Sequence, residues 1–330
     1  METILVTGGY GFIGSNFIRY MFKKYKHIKI INLDKLTYAG NLNNLADIDN
    51  DKRYKFIKGD ICDAKLLDNI LSAADHKFFT IVNFAAETHV DRSIKNASDF
   101  VRTNIEGVRT LLESCRKHKI KKILHISTDE VYGDVQKGFS KEGGALLPNS
   151  PYAASKAAAD LLCLAYCHTY KMPVTITRSS NNYGPYQYPE KVMPLFITNL
   201  LEKKKLPLYG DGKNIREWIY VEDNCSAIDC VLKKGLSGEI YNIGSASLVK
   251  NLDMANAVLK RFKLKSNFIE YVTDRPGHDR RYALNSGKIR KLGWRPQYNF
   301  EKALNMTIGW YKHNKWWWQP LKQKANIIKW

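Results

Sequence analysis

Thr3-Ile4-Leu5-Val6-Thr7-Gly8-Gly9-Tyr10-Gly11-Phe12-Ile13-Gly14 is the stretch on which the fold class turns. The run from Thr3 to Val6 has the composition of a short buried strand. Glycines at 8, 11 and 14 then follow the spacing G-x-x-G-x-x-G and lead into a helix expected from about Ser15 to the lysines before His27. In that pattern one glycine makes a tight turn, another lets the backbone approach a pyrophosphate, and a third lets helix pack on strand. A glycine pattern alone says little. Here it follows a strand, opens a helix, and precedes a second apolar run, Ile28 to Leu33, ending at Asp34, 20 positions after Gly14. A carboxylate there accepts hydrogen bonds from an adenosine ribose and repels a 2′-phosphate, which favours NAD over NADP; Lys35 next to it is the one opposing charge.

Outward from this unit the alternation continues. Strands are expected at Lys55–Lys58, Thr80–Phe84 and Lys122–Ile126, with helices at Asp63–Ala74 and Asp99–His118. Strands alternating with helices imply parallel βαβ units with right-handed crossovers. The expected fold is therefore α/β, a Rossmann-type doubly wound parallel sheet with a smaller C-terminal substrate-binding lobe. Residues 1–180 form the NAD-binding domain, with segments around 217–245 returning to it, and 181–330 belong mainly to the interleaved lobe. Ligands of open sheets sit beyond the strand carboxyl ends. That places Asp60 and Ile61 near the adenine and Ala85 and Ala86 near the middle of the cofactor, although ordinary loop positions would look the same. Past residue 178 the texture becomes irregular, with short strands at Leu206–Tyr209 and Glu217–Val221 and helices at Glu222–Lys234 and Phe300–Lys312.

Two motifs carry chemistry. The strand ending at Ile126 runs into Ser127-Thr128-Asp129-Glu130, a hydroxyl pair followed by two carboxylates. Such a pair usually caps a turn or is simply solvated, but at a strand's carboxyl end it marks a candidate site. Tyr152 and Lys156 lie at i,i+4 on a helix running from Pro151 to about Tyr170, and so share one face. A nearby ammonium and a cationic nicotinamide both favour phenolate, which makes Tyr152 a candidate base. Alone, Tyr-x-x-x-Lys is common; downstream of the glycine turn it is informative. Basic residues in the later loops, Lys191, Arg216, Arg275, His278 and Arg281, suit a diphosphate, with scattered surface charge as the plain alternative.

The 330 residues, 44% hydrophobic and 12% aromatic, describe an ordered globular chain. No apolar run approaches the ~20 residues of a membrane span, and no signal peptide is visible, so a cytoplasmic protein is expected. Six cysteines show no Cys-x-x-Cys spacing; Cys163 and Cys167 fit core filling better than metal binding, and no metal is expected. The net charge of +20 raises the possibility of nucleic-acid binding, with Lys119–Lys122 and Lys203–Lys205 as patches. The lysines are spread along the chain and no recognition motif accompanies them, so no nucleic-acid partner is expected. The Trp-rich end, from Lys315 through Trp330, receives no specific account.

With these motifs in place the chain resembles the extended short-chain dehydrogenase/reductases and, within them, the dTDP-glucose 4,6-dehydratase family. The resemblance runs from Thr3 to about Asn314. It includes Asp34-Lys35-Leu36-Thr37-Tyr38-Ala39-Gly40-Asn41, the stretch Ala85–Ser93, Ser179–Pro185 and Asp274–Asp279. Departures are small: Tyr10 where a small residue is common, and Thr88 in place of Ser. The resemblance implies a tightly bound NAD and a hydro-lyase that oxidises C4 of a dTDP- or UDP-glucose, eliminates water across C5 and C6, and reduces C6. Such products feed deoxysugar biosynthesis of the rhamnose-pathway kind. Tyr152, aided by Lys156, would take the 4-hydroxyl proton, Thr128 would orient that hydroxyl, Glu130 would be the base at C5, and Asp129 the acid at the 6-hydroxyl. One carboxyl must be protonated and the other ionised at the same pH, so their environments should push their pKa values apart.

By the same resemblance the cofactor would be held by Gly8, Gly11, Phe12, Ile13, Gly14, Asp34, Lys35, Thr37, Asp60, Ile61, Ala85, Ala86, Thr103, Ser127, Tyr152, Lys156 and Asn182. The nucleotide sugar would meet Thr88, Thr128, Asn181, Lys191, Val192, Leu208, Tyr209, Arg216, Asn251, Arg275 and His278. The helices near 99–118 and 152–170 would pair with those of a second copy into a four-helix bundle, giving a homodimer. An NAD-dependent epimerase or decarboxylase is the nearest alternative, and a basic Rossmann-fold nucleic-acid binder a remote one. Thymine and uracil differ by one methyl group, and no residue here decides between them.

Overall fold

Ile4, Leu5 and Val6 are buried on both faces of strand β1 (Glu2–Thr7), as a strand covered by helices on each side requires. The computed structural model describes residues 2–72 and 79–325. The expected helix end at Ala73–Ala74 and the chain's last stretch, 326–330, lie outside the described residues. Helix α1 (Phe12–Lys24) begins at Phe12 rather than Ser15, because Gly11 is its extended N-cap and Gly14 lies inside its first turn. It is followed by β2 (Ile28–Asp34), β3 (Tyr54–Lys58), α2 (Ala64–Ser72), β4 (Phe79–Asn83) and α3 (Val90–Lys95). Helix α4 is three consecutive stretches, Ser98–Phe100, a π-wound Val101–Glu106, and Gly107–Lys117. Next come β5 (Lys122–Thr128), α5 (Pro151–Tyr170) and β6 (Val174–Ser179).

The remaining elements are β7 (Asn181–Tyr183), α6 (Val192–Leu201), β8 (Leu206–Tyr209), β9 (Ile215–Tyr220), α7 (Val221–Lys234), β10 (Ile240–Ile243) and β11 (Leu248–Lys250). After them come α8 (Asn251–Arg261), β12 (Ile269–Val272), α9 (Gly287–Lys291), α10 (Phe300–His313) and α11 (Lys315–Lys324). Seven strands form one sheet in the order β10-β6-β5-β4-β1-β2-β3, every pair parallel. From β1 the chain moves outward to β3, then restarts at β4 and moves the other way. The β1/β4 border is therefore the switch point, where the sheet opens a crevice at its carboxyl edge. Thr7, Asn83 and Thr128 stand at that edge.

Two small sheets, β11-β9-β7 and β12-β8, enclose a separate apolar cluster that includes Phe196, Trp218, Met254 and Leu304. The Trp-rich end belongs to this cluster: α11 buries Trp317 and Trp318 and leaves Trp316 exposed. Among the described residues no helix is long and apolar enough to cross a membrane.

Helix α5 fixes the reactive pair. Ser150 is its N-cap, accepting the Ala153 N–H at 3.1 Å, and Pro151 starts the helix at a position where a missing N–H costs nothing. The Tyr152 amide is tied to Ser93 Oγ at 3.1 Å, so α3 and α5 hold the tyrosine between them.

Candidate active site

The glycine turn forms one wall of a cavity at the switch point. Gly8 has φ +70°, and a Cβ there would lie 2.7 Å from the Ala85 nitrogen; at Gly14 it would lie 2.4 Å from the Gly8 carbonyl oxygen. Any side chain would push the turn off the β4 loop or off its own helix. The Gly11 N-cap has no side chain to satisfy the first amides of α1, which leaves an uncapped helix N-terminus suited to phosphate. Asp34 accepts the Tyr10 N–H through Oδ2 and the Leu36 N–H through Oδ1, both at 2.8 Å. Burial raises its pKa and those two bonds hold it back. Each oxygen keeps a lone pair for a ribose hydroxyl. The opposing charge expected from Lys35 is engaged elsewhere, 2.9 Å from Asp60.

All the residues expected to hold the cofactor line this one cavity, from Gly8, Gly11, Phe12, Ile13 and Gly14 to Thr37, Ile61, Ala86, Thr103, Ser127 and Asn182. Ser127 Oγ and Asn182 Oδ1 are buried without a partner within the chain. Unmatched polar atoms in a largely apolar cavity fit a ligand such as a dinucleotide, which brings both polar groups and aromatic rings.

Thr128, Asp129 and Glu130 sit where β5 breaks into a single 3₁₀ turn, Asp129–Tyr132. Thr128 Oγ1 accepts the Glu130 N–H and donates to Asp129 Oδ1, each at 3.3 Å. Burial pushes the Asp129 carboxyl well above the usual carboxylate range; the charges of Glu130 and Glu217 add to this, and Arg216 and Thr128 oppose it. Glu130 is also raised by burial, but Arg275, Arg216 and Lys191 all favour its ionised form. Both carboxyls are thus raised by burial, Asp129 the more strongly, and cations favour ionisation more at Glu130 than at Asp129.

Tyr152 corrects an expectation. The chain's own groups push its phenol up, through burial first and Glu130 next, with a hydrogen bond to Thr128 only partly compensating. Lys156 does not lower it directly, because its ammonium is turned to the Ile126 carbonyl at 2.7 Å and lies 3.4 Å from His125 Nε2. Burial brings the Lys156 pKa down to about 8 against the pull of Asp160. Beneath it His125 is kept neutral by burial and by Lys156, and its Nδ1 is 3.1 Å from the Asn83 amide. Asp160 is buried and paired with Arg178 Nε at 2.7 Å.

A second cavity continues from the first, and Thr88, Glu130, Asn181, Glu190 and Lys191 line both. Val192, Leu208, Tyr209, Arg216, Asn251, Arg275 and His278 line the second, so the expected nucleotide-sugar residues also come together. Lys191 Nζ donates to the Thr88 carbonyl at 3.0 Å, and Arg216 donates to the Asp279 carbonyl at 2.8 Å with its guanidinium over the Tyr282 ring. Two of the expected cations are not available as such. His278 is held neutral, its pKa brought down to about 4 by burial and then by Arg275 and Arg216. Arg281 lines neither cavity and binds the carbonyls of Val135 and Gly138 instead.

Several participants were invisible in the sequence. Asp91 accepts from Arg275 at 2.8 Å and from Tyr209 at 3.0 Å, orienting both. Glu190 accepts from Arg92, whose guanidinium stacks on Tyr38 at 3.7 Å. Asp91 and Arg92 lie inside the Ala85–Ser93 stretch and Tyr38 inside Asp34–Asn41, so a signal was present for them; Glu190 had only its position beside Lys191.

A glycine turn facing a ribose-type carboxylate, with Tyr152 and Lys156 one turn apart at the same cavity, defines an extended short-chain dehydrogenase/reductase. The chain belongs to the nucleotide-sugar 4,6-dehydratases of that class: the GDP-mannose 4,6 dehydratase family model matches residues 5–307. A dTDP-glucose 4,6-dehydratase of Streptomyces niveus is 48% identical over 324 residues, 97% of this chain and 95% of that protein. The crystal structure of dTDP-glucose 4,6-dehydratase from Bacillus anthracis in complex with NAD has a TM-score of 0.91 and 50% identity, covering 97% of this chain and 100% of that one. DesIV, the Streptomyces venezuelae dTDP-glucose 4,6-dehydratase, has a TM-score of 0.93 at 49% identity, covering 97% of this chain and 99% of its own.

Proposed function

We propose that the chain converts dTDP-D-glucose into the 4-keto-6-deoxy-glucose nucleotide and water. The first cavity holds NAD and the second the nucleotide diphosphate, so that residues 1–180 with the returning segment around 217–245 serve the cofactor and the rest mainly the sugar nucleotide. The observation that carries this reading is two adjacent carboxyls, Asp129 and Glu130, lining the same cavity as Tyr152, with Asp129 pushed well above the usual carboxylate range and Glu130 raised but met by three cations that favour its ionised form. Simple oxidation or epimerisation at C4 has no use for such a pair, whereas elimination of water needs an acid and a base together.

NAD, when bound, accepts the hydride from C4, returns it at C6, and supplies a positive ring that favours Tyr152 phenolate. Tyr152 takes the 4-hydroxyl proton while Thr128 orients that hydroxyl. The resulting ketone acidifies C5, and Glu130 removes that proton. Asp129 protonates the 6-hydroxyl, which leaves as water, and Glu130 returns its proton to C5. Tyr152 then holds one proton more than at the start and Asp129 one fewer. Thr128, hydrogen-bonded to Asp129 and within reach of Tyr152, is placed to pass the proton between them.

Thymidine is favoured over uridine by the names of the similar proteins, and kcat/KM for dTDP-glucose and UDP-glucose measures the preference. Formation of an alkali-sensitive 4-keto product is expected; recovery of the galactose epimer alone would make the chain an epimerase. Glu130→Gln should keep NAD binding and lose exchange of the C5 hydrogen with solvent. Undiminished exchange in that variant would remove Glu130 from the role of base.

The six cysteines are free, which suits the reducing cytoplasm. The working form we propose is a homodimer built on α4 and α5.

A further inference from the structure

The Trp-rich end reaches the cofactor cavity. The Trp317 indole N–H donates to Asn44 Oδ1 at 2.8 Å, and Asn44 Nδ2 donates to the Tyr10 carbonyl at 2.7 Å. The Tyr10 amide in turn donates to Asp34, the ribose carboxylate, at 2.8 Å. All four residues are buried, and Trp317 and Asn44 line the same cavity as Gly8 and Asp34. A second branch starts on the preceding helix, α10, in the same aromatic cluster: the Tyr311 hydroxyl donates to the Gln187 carbonyl at 2.5 Å, and Gln187 Nε2 donates to the Asn182 carbonyl at 2.9 Å. The C-terminal aromatics therefore reach the cavity wall at two places, directly at Asn44 and through Gln187 at Asn182.

We propose that this segment is part of the cofactor site, with Trp317 a positioning residue that orients the Asn44 amide and, through it, the glycine turn. The inference rests on the NAD reading above. Asn44 is oriented by one bond at each end of its amide. Without the indole donor its buried oxygen has no partner, and the amide no longer holds the Tyr10 carbonyl in place. This explains why tryptophan, rather than another large apolar ring, stands there: phenylalanine fills the space but cannot donate.

The test uses the full-length protein stripped of nucleotide, with NAD and dTDP as separate probes in calorimetric titrations. Trp317→Phe should weaken NAD binding about five- to tenfold, the loss of one buried hydrogen bond and its partner's pairing, and leave dTDP binding within about twofold. Asn44→Ala should weaken NAD similarly, and the double variant no further than either single one, since both break the same connection. Unchanged NAD affinity in Trp317→Phe, additive losses, or equal losses for NAD and dTDP would each overturn the inference. A parent that binds dTDP but not NAD would sink the NAD reading and this inference with it. A parent that binds NAD beside an indifferent Trp317→Phe sinks this inference alone.

Discussion

Asp129 is buried with one carboxylate oxygen unpartnered, a state tolerated only if the group keeps its proton or works for its place. Asp129→Asn keeps the shape and removes the transferable proton. Turnover to the 4-keto-6-deoxy product should fall about 10²–10⁴-fold, the scale of a lost general acid. Reduction of bound NAD by dTDP-glucose should survive, because oxidation at C4 does not call on this carboxyl. A single-turnover record of nicotinamide absorbance checks both, and simultaneous loss of the reduction signal would count against a role confined to elimination. The same variant tests the electrostatics. The folded-state pKa of Asp129 lies above its unfolded value. Its contribution to stability is therefore full below the ordinary carboxylate range and is lost as pH rises through the raised value. Above that point the parent carries a buried charge that the variant lacks. Asp129→Asn should melt higher than the parent in alkaline buffer, with the advantage shrinking toward acid. Melts across about pH 5 to 9 decide it; a difference independent of pH would show that the carboxyl does not titrate as described.

Helix α4 shows what an element can hide. Its π-wound stretch shifts the helical register, as such stretches do at functional sites, and the shift brings Thr103 to the cofactor cavity and Asn104 to the loop after β4. Asn104 accepts the Glu87 N–H at 2.9 Å, donates to the Glu87 carbonyl at 3.0 Å, and donates to Ser155 Oγ at 2.8 Å. It thereby joins the Ala85–Thr88 loop to the helix carrying Tyr152 and Lys156. Asn104→Ala leaves the half-buried Glu87 N–H and carbonyl unpaired and should cost about 2 kcal/mol, measured by urea unfolding. A loss within about 0.5 kcal/mol, the range of ordinary surface changes, would show that the joint is dispensable. Nothing in the sequence points to Asn104: a π turn leaves no periodic trace, and one asparagine in a helix is unremarkable. The glycine turn, Thr128-Asp129-Glu130 and Tyr152/Lys156 were legible because each motif is local and its context is the adjoining strand or helix. What sets their charges is not local. Arg216 and Glu217 act on Asp129 across strand packing that no spacing announces, whereas Asp160, one turn from Lys156 on α5, was in plain view.

At the scale of the molecule, a charge of +20 sits unevenly. Along α4, Asp99, Glu106 and Glu113 face Arg102, Arg109, Arg116 and Lys117, with Arg109–Glu106 and Arg116–Glu113 paired at i,i+3. Along α5, Lys156 and Asp160 are the only charged residues other than histidine. The two helices are thus nearly neutral in a strongly basic chain, and they expose Val101, Leu161 and Tyr170, with Leu161 57% exposed. The exposed face of α5 is apolar, while that of α4 adds Val101 to near-balanced charges; in the dimer proposed above a symmetric partner would cover both, and the remaining positive charge would keep other faces of the copies apart. The outer face of α5 would then meet the partner while its inner face carries Tyr152 and Lys156, so that pairing also holds the reactive helix in place. In a twofold dimer one substitution acts at two equivalent positions. Leu161→Asp should weaken association about a hundredfold or more, the scale of losing a buried interface anchor twice. Sedimentation velocity should find the parent dimeric and Leu161→Asp monomeric, with kcat reduced and NAD still bound. A parent that sediments as a monomer, or a variant that remains dimeric, would remove α4 and α5 from the interface.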